Sequence, residues 1–278
     1  MDAHYPGSEL KFREAINKTT EKPLSHLLLT HIHGDHVFGL FGLLSSLGMM
    51  GRKVPLHIYG PQDLGNYLDH YSKFFGPLPF ELDFTFPEDS IACIFENEKL
   101  TVEAIPLKHR VPAYGYLFRE KKKALNVRKE QIEAFGLGIA DLVKIKQGGD
   151  FVKESGEVVP NSHLTLPPFH QRSYAYLSDT RFDMEFASIV KGVDLLFHEA
   201  TFLERDKKLA AQTQHSTAAE AAELAKAAGA KKLLIGHFSS RYKDPLLFEQ
   251  EARKIFKNTS AVNDGDIYSI APERLSRE

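Results

Sequence analysis

Five short apolar runs in this 278-residue chain each lead into a residue able to bind a metal ion. Leu27–Thr30 runs into His31, Leu100–Leu107 leads to His109, and Tyr174–Leu177 ends in Ser178-Asp179. Asp194–Phe197 ends in His198-Glu199 and Lys232–Ile235 in Gly236-His237. One polar residue after a strand is ordinary; five endings that all supply imidazole or carboxylate are hard to assign to chance. Strands alternating with helices build layered α/β folds, and such folds gather ligand sites beyond the carboxyl ends of their strands. The intervening pattern agrees. Val37–Met50 reads as a buried helix, Val54–Tyr59 as a strand stopped by Gly60-Pro61, Gln62–Phe75 as a helix and Ala113–Phe118 as a strand. Phe38, Phe41, Leu43 and Leu44 read as core residues rather than a base-stacking platform. Thr217–Ala228 has the sharpest ends: Thr217 with Glu220 makes a capping box, and Gly229 is a natural stop. Asp244-Pro245 opens a last helix, with Asp as cap and Pro at the first position.

The segment THIHGDH (30–36) is the densest local signal. His31 and His33, two apart, can both reach one ion from a turn, and Asp35-His36 can serve a second ion nearby. Imidazole and carboxylate together suit zinc. A His-rich turn without a resident metal is the plain alternative. The apolar run before it and the apolar helix after it argue against that reading. His198 reads as a structural or supporting residue, and His4, His26, His57, His70, His163 and His170 as ordinary ones.

Charge is distributed unevenly. The net value of −2 argues against a generic nucleic-acid binder, but residues 108–153 hold eleven Lys/Arg against five acids. A basic segment of +6 on an acidic body fits a phosphate-rich ligand steered to one place. Residues 120–165 are polar, basic and weakly periodic, which reads as an inserted arm. Cys93 is the sole cysteine, which suits a reducing cytoplasm. No secretory apolar region opens the chain, and the 37–51 run is too short to span a bilayer.

Six collinear segments carry a resemblance to a known family: THIHGDHVFGLFGLLSSLGMMGR (30–52), LKHRVPAYGY (107–116), YLSDT (176–180), LLFHEATF (195–202), QHSTAAEAA (214–222) and LLIGHFSSRY (233–242). Together they resemble the ribonuclease Z family of tRNA 3′-processing endonucleases, a branch of the metallo-β-lactamase superfamily. The resemblance implies an α/β fold, a four-layer αβ/βα sandwich in one domain over 1–278. It further implies an inserted flexible arm over 119–160 that acts as a substrate-binding exosite, with Lys121, Lys122 and Lys123 among its contacts. It implies two zinc ions per subunit: His31, His33 and His109 on one, Asp35, His36 and His237 on the other, and Asp179 between them. Asp35 would be the proton acceptor. His215, supported by Glu199, would protonate the leaving oxygen or steady its charge, and Ser239, Arg241 and Tyr242 would touch phosphate. The implied partners are precursor tRNA and a second copy of the chain in a homodimer, with no membrane and no further protein.

Two departures from the family pattern stand out. Members start about thirty residues earlier, so the N-terminal sheet is expected to be shortened, with Met1–Gly7 near an Asp-Cys-Gly-Glu-Gly-Thr-like turn and backbone groups exposed at the edge. The arm commonly holds a Gly-Pro element, where this chain has Gly138-Ile139-Ala140-Asp141. Two rival readings are a hydrolase of small phosphodiesters and an inactive, metal-stabilised RNA-binding protein.

Overall fold

The computed structural model describes residues 24–276. His4, the Met1–Gly7 turn and any strand before residue 24 lie outside the described residues. The first described elements are β1 (His26–Leu28), α1 (Gly34–Met49), β2 (Leu56–Tyr59), α2 (Asp63–Phe75) and β3 (Leu82–Thr85). The three strands form one parallel sheet in the order β1-β2-β3, with His26 opposite His57 and Leu56 opposite Leu82. Leu40 and Leu44 of α1, Leu64 and Leu68 of α2, and Leu56 and Ile58 of β2 close a core with Phe80. α1 buries Val37, Leu40, Leu43 and Leu44, the three-and-four spacing of one helix face. Phe38 falls off that face and is 63% exposed, against the expectation that it is core. Met49 and Met50, at the end of the helix, are exposed as well.

β4 (Ala92–Glu96), β5 (Leu100–Pro106) and β6 (Tyr114–Glu120) begin a second sheet. The inserted segment then contributes α3 (Lys129–Ala134), α4 (Ile139–Lys146), the antiparallel pair β7 (Phe151–Val152) and β8 (Val158–Val159), and α5 (Asn161–Leu164). It belongs to a second compact unit made of residues 97–101, 119–172 and 269–278. That unit has its own small core of Leu137, Ile145, Val159 and Leu164. Its helices are of six, eight and four residues, too short to leave a periodic signature in the sequence. Gly138-Ile139-Ala140-Asp141 opens α4, where the Gly138 N–H donates to Asp141 Oδ2 at 3.0 Å. Glu120 receives both Nε and NH2 of Arg172, at 3.0 and 2.7 Å.

The main unit resumes with β9 (Ser173–Leu177), α6 (Glu185–Ile189), β10 (Leu195–Glu199), α7 (Lys207–Thr213), α8 (Ala218–Ala228), β11 (Lys232–Gly236), α9 (Leu246–Arg253) and β12 (Thr259–Ala261). The seven-stranded sheet runs β12-β11-β10-β9-β6-β5-β4. α6, α8 and α9 cover it through Phe186, Val190, Leu224, Phe248 and a run of buried alanines in α8. Helices on the first sheet and helices on the second give the expected αβ/βα arrangement. Gly115 lets β6 lie close to β9, since a Cβ there would stand 2.8 Å from the Tyr176 carbonyl. α8 has the capping box read from sequence: Glu220 N–H donates to Thr217 Oγ1 at 3.1 Å, and Gly229 ends the helix at φ 65°. At α9 the cap position is Pro245, and Asp244 serves it by accepting the Leu246 N–H at 2.9 Å.

Register places the chemistry. β9, β10 and β11 are parallel, with Leu177 opposite His198 and Glu199 opposite Gly236. The residues that follow, Asp179 and His237, therefore reach the same sheet edge as Glu199. β10 continues through Glu199, two residues past the expected end, because His198 and Glu199 complete the ladder with Ile235 and Gly236.

Candidate metal and catalytic centre

His31 is positioned by hydrogen bonds to the two residues before it. Leu29 N–H donates to the Tyr59 carbonyl at 2.8 Å, Tyr116 Oη donates to the Leu29 carbonyl at 2.6 Å, and Tyr114 N–H donates to the Thr30 carbonyl at 2.9 Å. α1 starts three residues later with His33 at its cap position and Asp35 in its first turn, where the helix dipole favours a carboxylate. The loop between β5 and β6 supplies His109.

Three histidines converge here. His33 Nδ1 lies 2.9 Å from His31 Nε2 and 3.4 Å from His109 Nε2. The far side of each partner ring is engaged: His31 Nδ1 is 3.0 Å from Thr30 Oγ1, and His109 Nδ1 is 3.2 Å from the Gln214 carbonyl. A carbonyl can only accept, so His109 carries its hydrogen on Nδ1 and offers the Nε2 lone pair inward. Burial holds His109 and His36 below the ordinary histidine range and takes His31, which is fully buried, to about 3. His31, His36 and His109 are thus neutral near pH 7, and the Nε2 atoms of His31 and His109 converge on His33 Nδ1. Three imidazoles with converging nitrogens form a donor set that fits a metal ion.

Asp179 joins this group to a second one. Its Oδ1 is 3.2 Å from His237 Nε2 and 4.0 Å from His31 Nε2, and its Oδ2 is 3.4 Å from His36 Nε2. Burial opposes its ionisation, but His237, His36 and the Ser178 hydroxyl outweigh that and hold the carboxyl below the usual carboxylate range. Asp35 Oδ2 is 3.6 Å from His36 Nε2, and Asp35, His36 and His237 present a third set of converging ligand atoms. Among the described residues, Asp179, Gln214 and His237 are the non-glycines with positive φ, at 56°, 58° and 61°. All three stand at this centre, where the left-handed backbone costs on the order of 1 kcal/mol or more each.

Glu199 is fully buried and satisfied on both oxygens. Oε1 accepts from the Thr180 N–H at 3.0 Å and lies 2.8 Å from His215 Nδ1; Oε2 accepts from Thr201 N–H and Oγ1 at 3.0 and 2.7 Å. Burial works against protonation of His215, but the bond to Glu199 and the charges of Glu199 and Asp179 prevail and raise its pKa. Thr201 Oγ1 also lies 2.9 Å from His237 Nδ1. Sequence reasoning passed over Thr201, Thr30 and the Gln214 carbonyl. Thr201 alone left a trace, two residues past Glu199. His198 points away: its Nδ1 meets the Glu199 carbonyl at 2.6 Å, and its Nε2 is buried without a partner among the described residues. His26 and His57 stack 5.0 Å apart beside Tyr59 and Asp83, away from the metal groups.

The residues proposed for phosphate divide. Ser239 is tied through its N–H to the Thr201 carbonyl at 3.1 Å, and Arg241 lies 5.6 Å over the Phe202 ring. Tyr242 gives its hydroxyl to Asp206 and packs edge-on against Phe248. Lys121, Lys122 and Lys123 belong to the second unit, where Lys123 Nζ is 3.1 Å from Glu120.

Residues 5–121 match a family model described as the metallo-beta-lactamase superfamily, and 158–238 match one described as a beta-lactamase superfamily domain. A Porphyromonas gingivalis protein named Ribonuclease Z is 44% identical over 243 residues, covering 87% of this chain and 80% of that one. A Parabacteroides distasonis protein of the same name is 44% identical over 266 residues, covering 95% and 87%. The crystal structure of human tRNase Z, short form, has a similar fold, with a TM-score of 0.59 at 23% identity over 89% of this chain and 79% of that chain.

Proposed function

The chain belongs to the ribonuclease Z family of the metallo-β-lactamase superfamily, and from that premise we infer that it is a hydrolytic endoribonuclease that removes the 3′ trailer from precursor tRNA. The observation that carries the reading is the meeting of His31, His33, His36, His109, Asp179 and His237 at one edge, beside the buried Glu199 and its half-buried partner His215.

A metal cofactor belongs at this edge, and we assign it as two zinc ions per subunit. His31, His33 and His109 would hold one and Asp35, His36 and His237 the other, with Asp179 placed between the two sets. The chemistry such ions would supply is a lowered pKa for a water and countercharge for the phosphodiester. Asp35, whose side chain is 69% exposed, takes the proton from the attacking water. The tRNA product ends in a 3′-hydroxyl, so the bond that breaks joins phosphorus to the 3′ oxygen. His215 gives that oxygen its proton, and Glu199 keeps the ring aimed and charged. Ser239 and Arg241 hold the phosphate, and Tyr242 holds their loop.

The basic segment with Lys121, Lys122 and Lys123 is the exosite, gripping tRNA away from the cut. In a homodimer it serves the partner's centre. Cytoplasmic residence, supported by the lone Cys93, completes the proposal. No helix among the described residues is long and apolar enough to cross a membrane.

The test is cleavage of a 5′-labelled precursor tRNA by zinc-loaded protein, with the cut mapped. A cut at the 3′ edge of the acceptor stem, lost in His33→Ala, supports the reading. A protein that holds its zinc and makes no cut refutes it.

A further inference from the structure

Two arginines beside the centre have no part in the chemistry above. Leu107 N–H donates to the Ala113 carbonyl at 2.8 Å and closes the loop that carries Lys108, His109 and Arg110. His109 turns inward to His33 and the Gln214 carbonyl, while Lys108 and Arg110 on either side are exposed. The loop after β9 is fastened to this one twice. Arg181 N–H donates to the Lys108 carbonyl at 2.9 Å, and Lys108 N–H donates to Thr180 Oγ1 at 3.1 Å. Arg181, two residues past Asp179, is thereby pinned next to the loop of Arg110 and is itself exposed. Lys108 leans toward Asp183, 4.0 Å away. Among the described residues neither guanidinium pairs with a carboxylate.

A guanidinium presents a planar fork of donors that fits two oxygens of one phosphate, and it stays charged at any working pH. The site's histidines and carboxylates serve one phosphodiester; the neighbouring linkages of an RNA strand are anionic too and need their own cations. We propose that Arg110, with Arg181 beside it, clamps the phosphate one linkage to the 5′ side of the scissile bond. The side follows from geometry. The His109 ring is 5.2 Å from that of His215, the residue assigned to the leaving 3′ oxygen, and Arg110 is close enough for its charge to act on His215, which puts the Arg110 loop on the tRNA side of the cut. The proposal rests on the endoribonuclease reading and adds a subsite to it.

The experiment neutralises one phosphate at a time. Precursor RNAs carry a methylphosphonate at the linkage 5′ of the cut, at the linkage 3′ of it, or at neither. Zinc-loaded wild-type protein should cleave the native strand about tenfold or more faster, in kcat/KM, than the 5′-neutralised one. In Arg110→Ala that ratio should collapse toward parity, and Arg110→Lys should keep part of it. Lys226→Ala, an exposed change on α8, should keep the wild-type ratio. An unchanged ratio in Arg110→Ala, or a collapse seen only for the 3′-neutralised strand, overturns the subsite. Anisotropy on strands whose scissile linkage is itself a methylphosphonate reads the same affinity ratio without a cut. Absent cleavage by wild type therefore counts against the endoribonuclease reading alone, while a lost difference in binding counts against the clamp.

Discussion

Glu199 Oε1 lies 2.8 Å from His215 Nδ1, and the carboxylate that makes this contact is fully buried with three further donors on it. A buried anion with every lone-pair direction engaged cannot be swapped for its amide without conflict. In Glu199→Gln an NH2 must face the Thr180 or Thr201 N–H, or the His215 ring. We expect kcat/KM on precursor tRNA to fall about 100-fold or more, the size of a lost general acid. Glu199 raises the His215 pKa, and a general acid works only while protonated. Activity is lost as pH rises through that pKa, so the alkaline limb should move to lower pH in the variant. A Gln variant with wild-type kcat/KM and an unmoved limb would remove Glu199 from the chemistry.

Much of this centre was legible because its residues follow strands. A parallel sheet carries every strand's carboxyl end to one edge, so a linear list of endings becomes a cluster once Glu199 pairs with Gly236. Capping chemistry located α8 for the same local reason. What stayed hidden depends on pairs far apart in sequence or on very short elements. His109 meets a carbonyl of residue 214, and a backbone oxygen leaves no mark in a sequence. The left-handed turns at Asp179, Gln214 and His237 carry no glycine to announce them. β12 and the helices of the inserted segment are too short for a period to emerge. Phe38 was misplaced because a fully apolar stretch hides which side of α1 faces the core.

Metal removal should be visible in stability. The inward nitrogens of His31 and His109 stand 2.9 and 3.4 Å from His33 Nδ1, a converging set that a bound cation would hold together. Ligand binding to the folded state alone stabilises it, by about 4 kcal/mol at a thousandfold excess over Kd. A chelator should lower Tm by several degrees, and added zinc should restore it. His109→Ala should reduce the bound metal from about two ions toward one. Equal melting with and without chelator would mean that no ion is held.

Asp35 is the most exposed of the assigned ligands, so its loss should cost chemistry more than structure. Asp35→Ala should lower kcat on precursor tRNA by several orders of magnitude while Tm in zinc changes little. Cleavage at the wild-type rate would rule it out as the proton acceptor.

The lysines of the inserted segment should act through charge. Each phosphate contact removed should reduce the slope of log Kd against log salt by roughly 0.7–0.9. Lys122 is exposed, whereas Lys123 is already 3.1 Å from Glu120. Lys122→Ala should therefore weaken precursor binding more than Lys123→Ala does. Identical slopes for wild type and Lys122→Ala, by anisotropy at several salt concentrations, would remove this segment from the tRNA grip.

Glu120 offers a pH test of the second unit that involves no metal. Arg172 binds both its oxygens, and its guanidinium also reaches the Ile270 carbonyl at 2.9 Å. The Arg172 hydrogen bond is the largest influence on Glu120 and takes its pKa from 4.5 to about 2. A carboxylate whose folded pKa is depressed contributes stability above its unfolded pKa and loses it as pH falls through the folded one. Glu120→Gln should therefore be less stable than wild type at pH 6–8, and the gap should narrow from about pH 4.5 down toward pH 2. The pair is partly exposed, so solvent screening limits its contribution to roughly 1 kcal/mol or less, a few degrees in Tm at most. Melts at pH 7 and pH 3.5 decide it: a gap that is equal at both, or that widens in acid, would mean that the Glu120–Arg172 pair does not stabilise this unit through its charge.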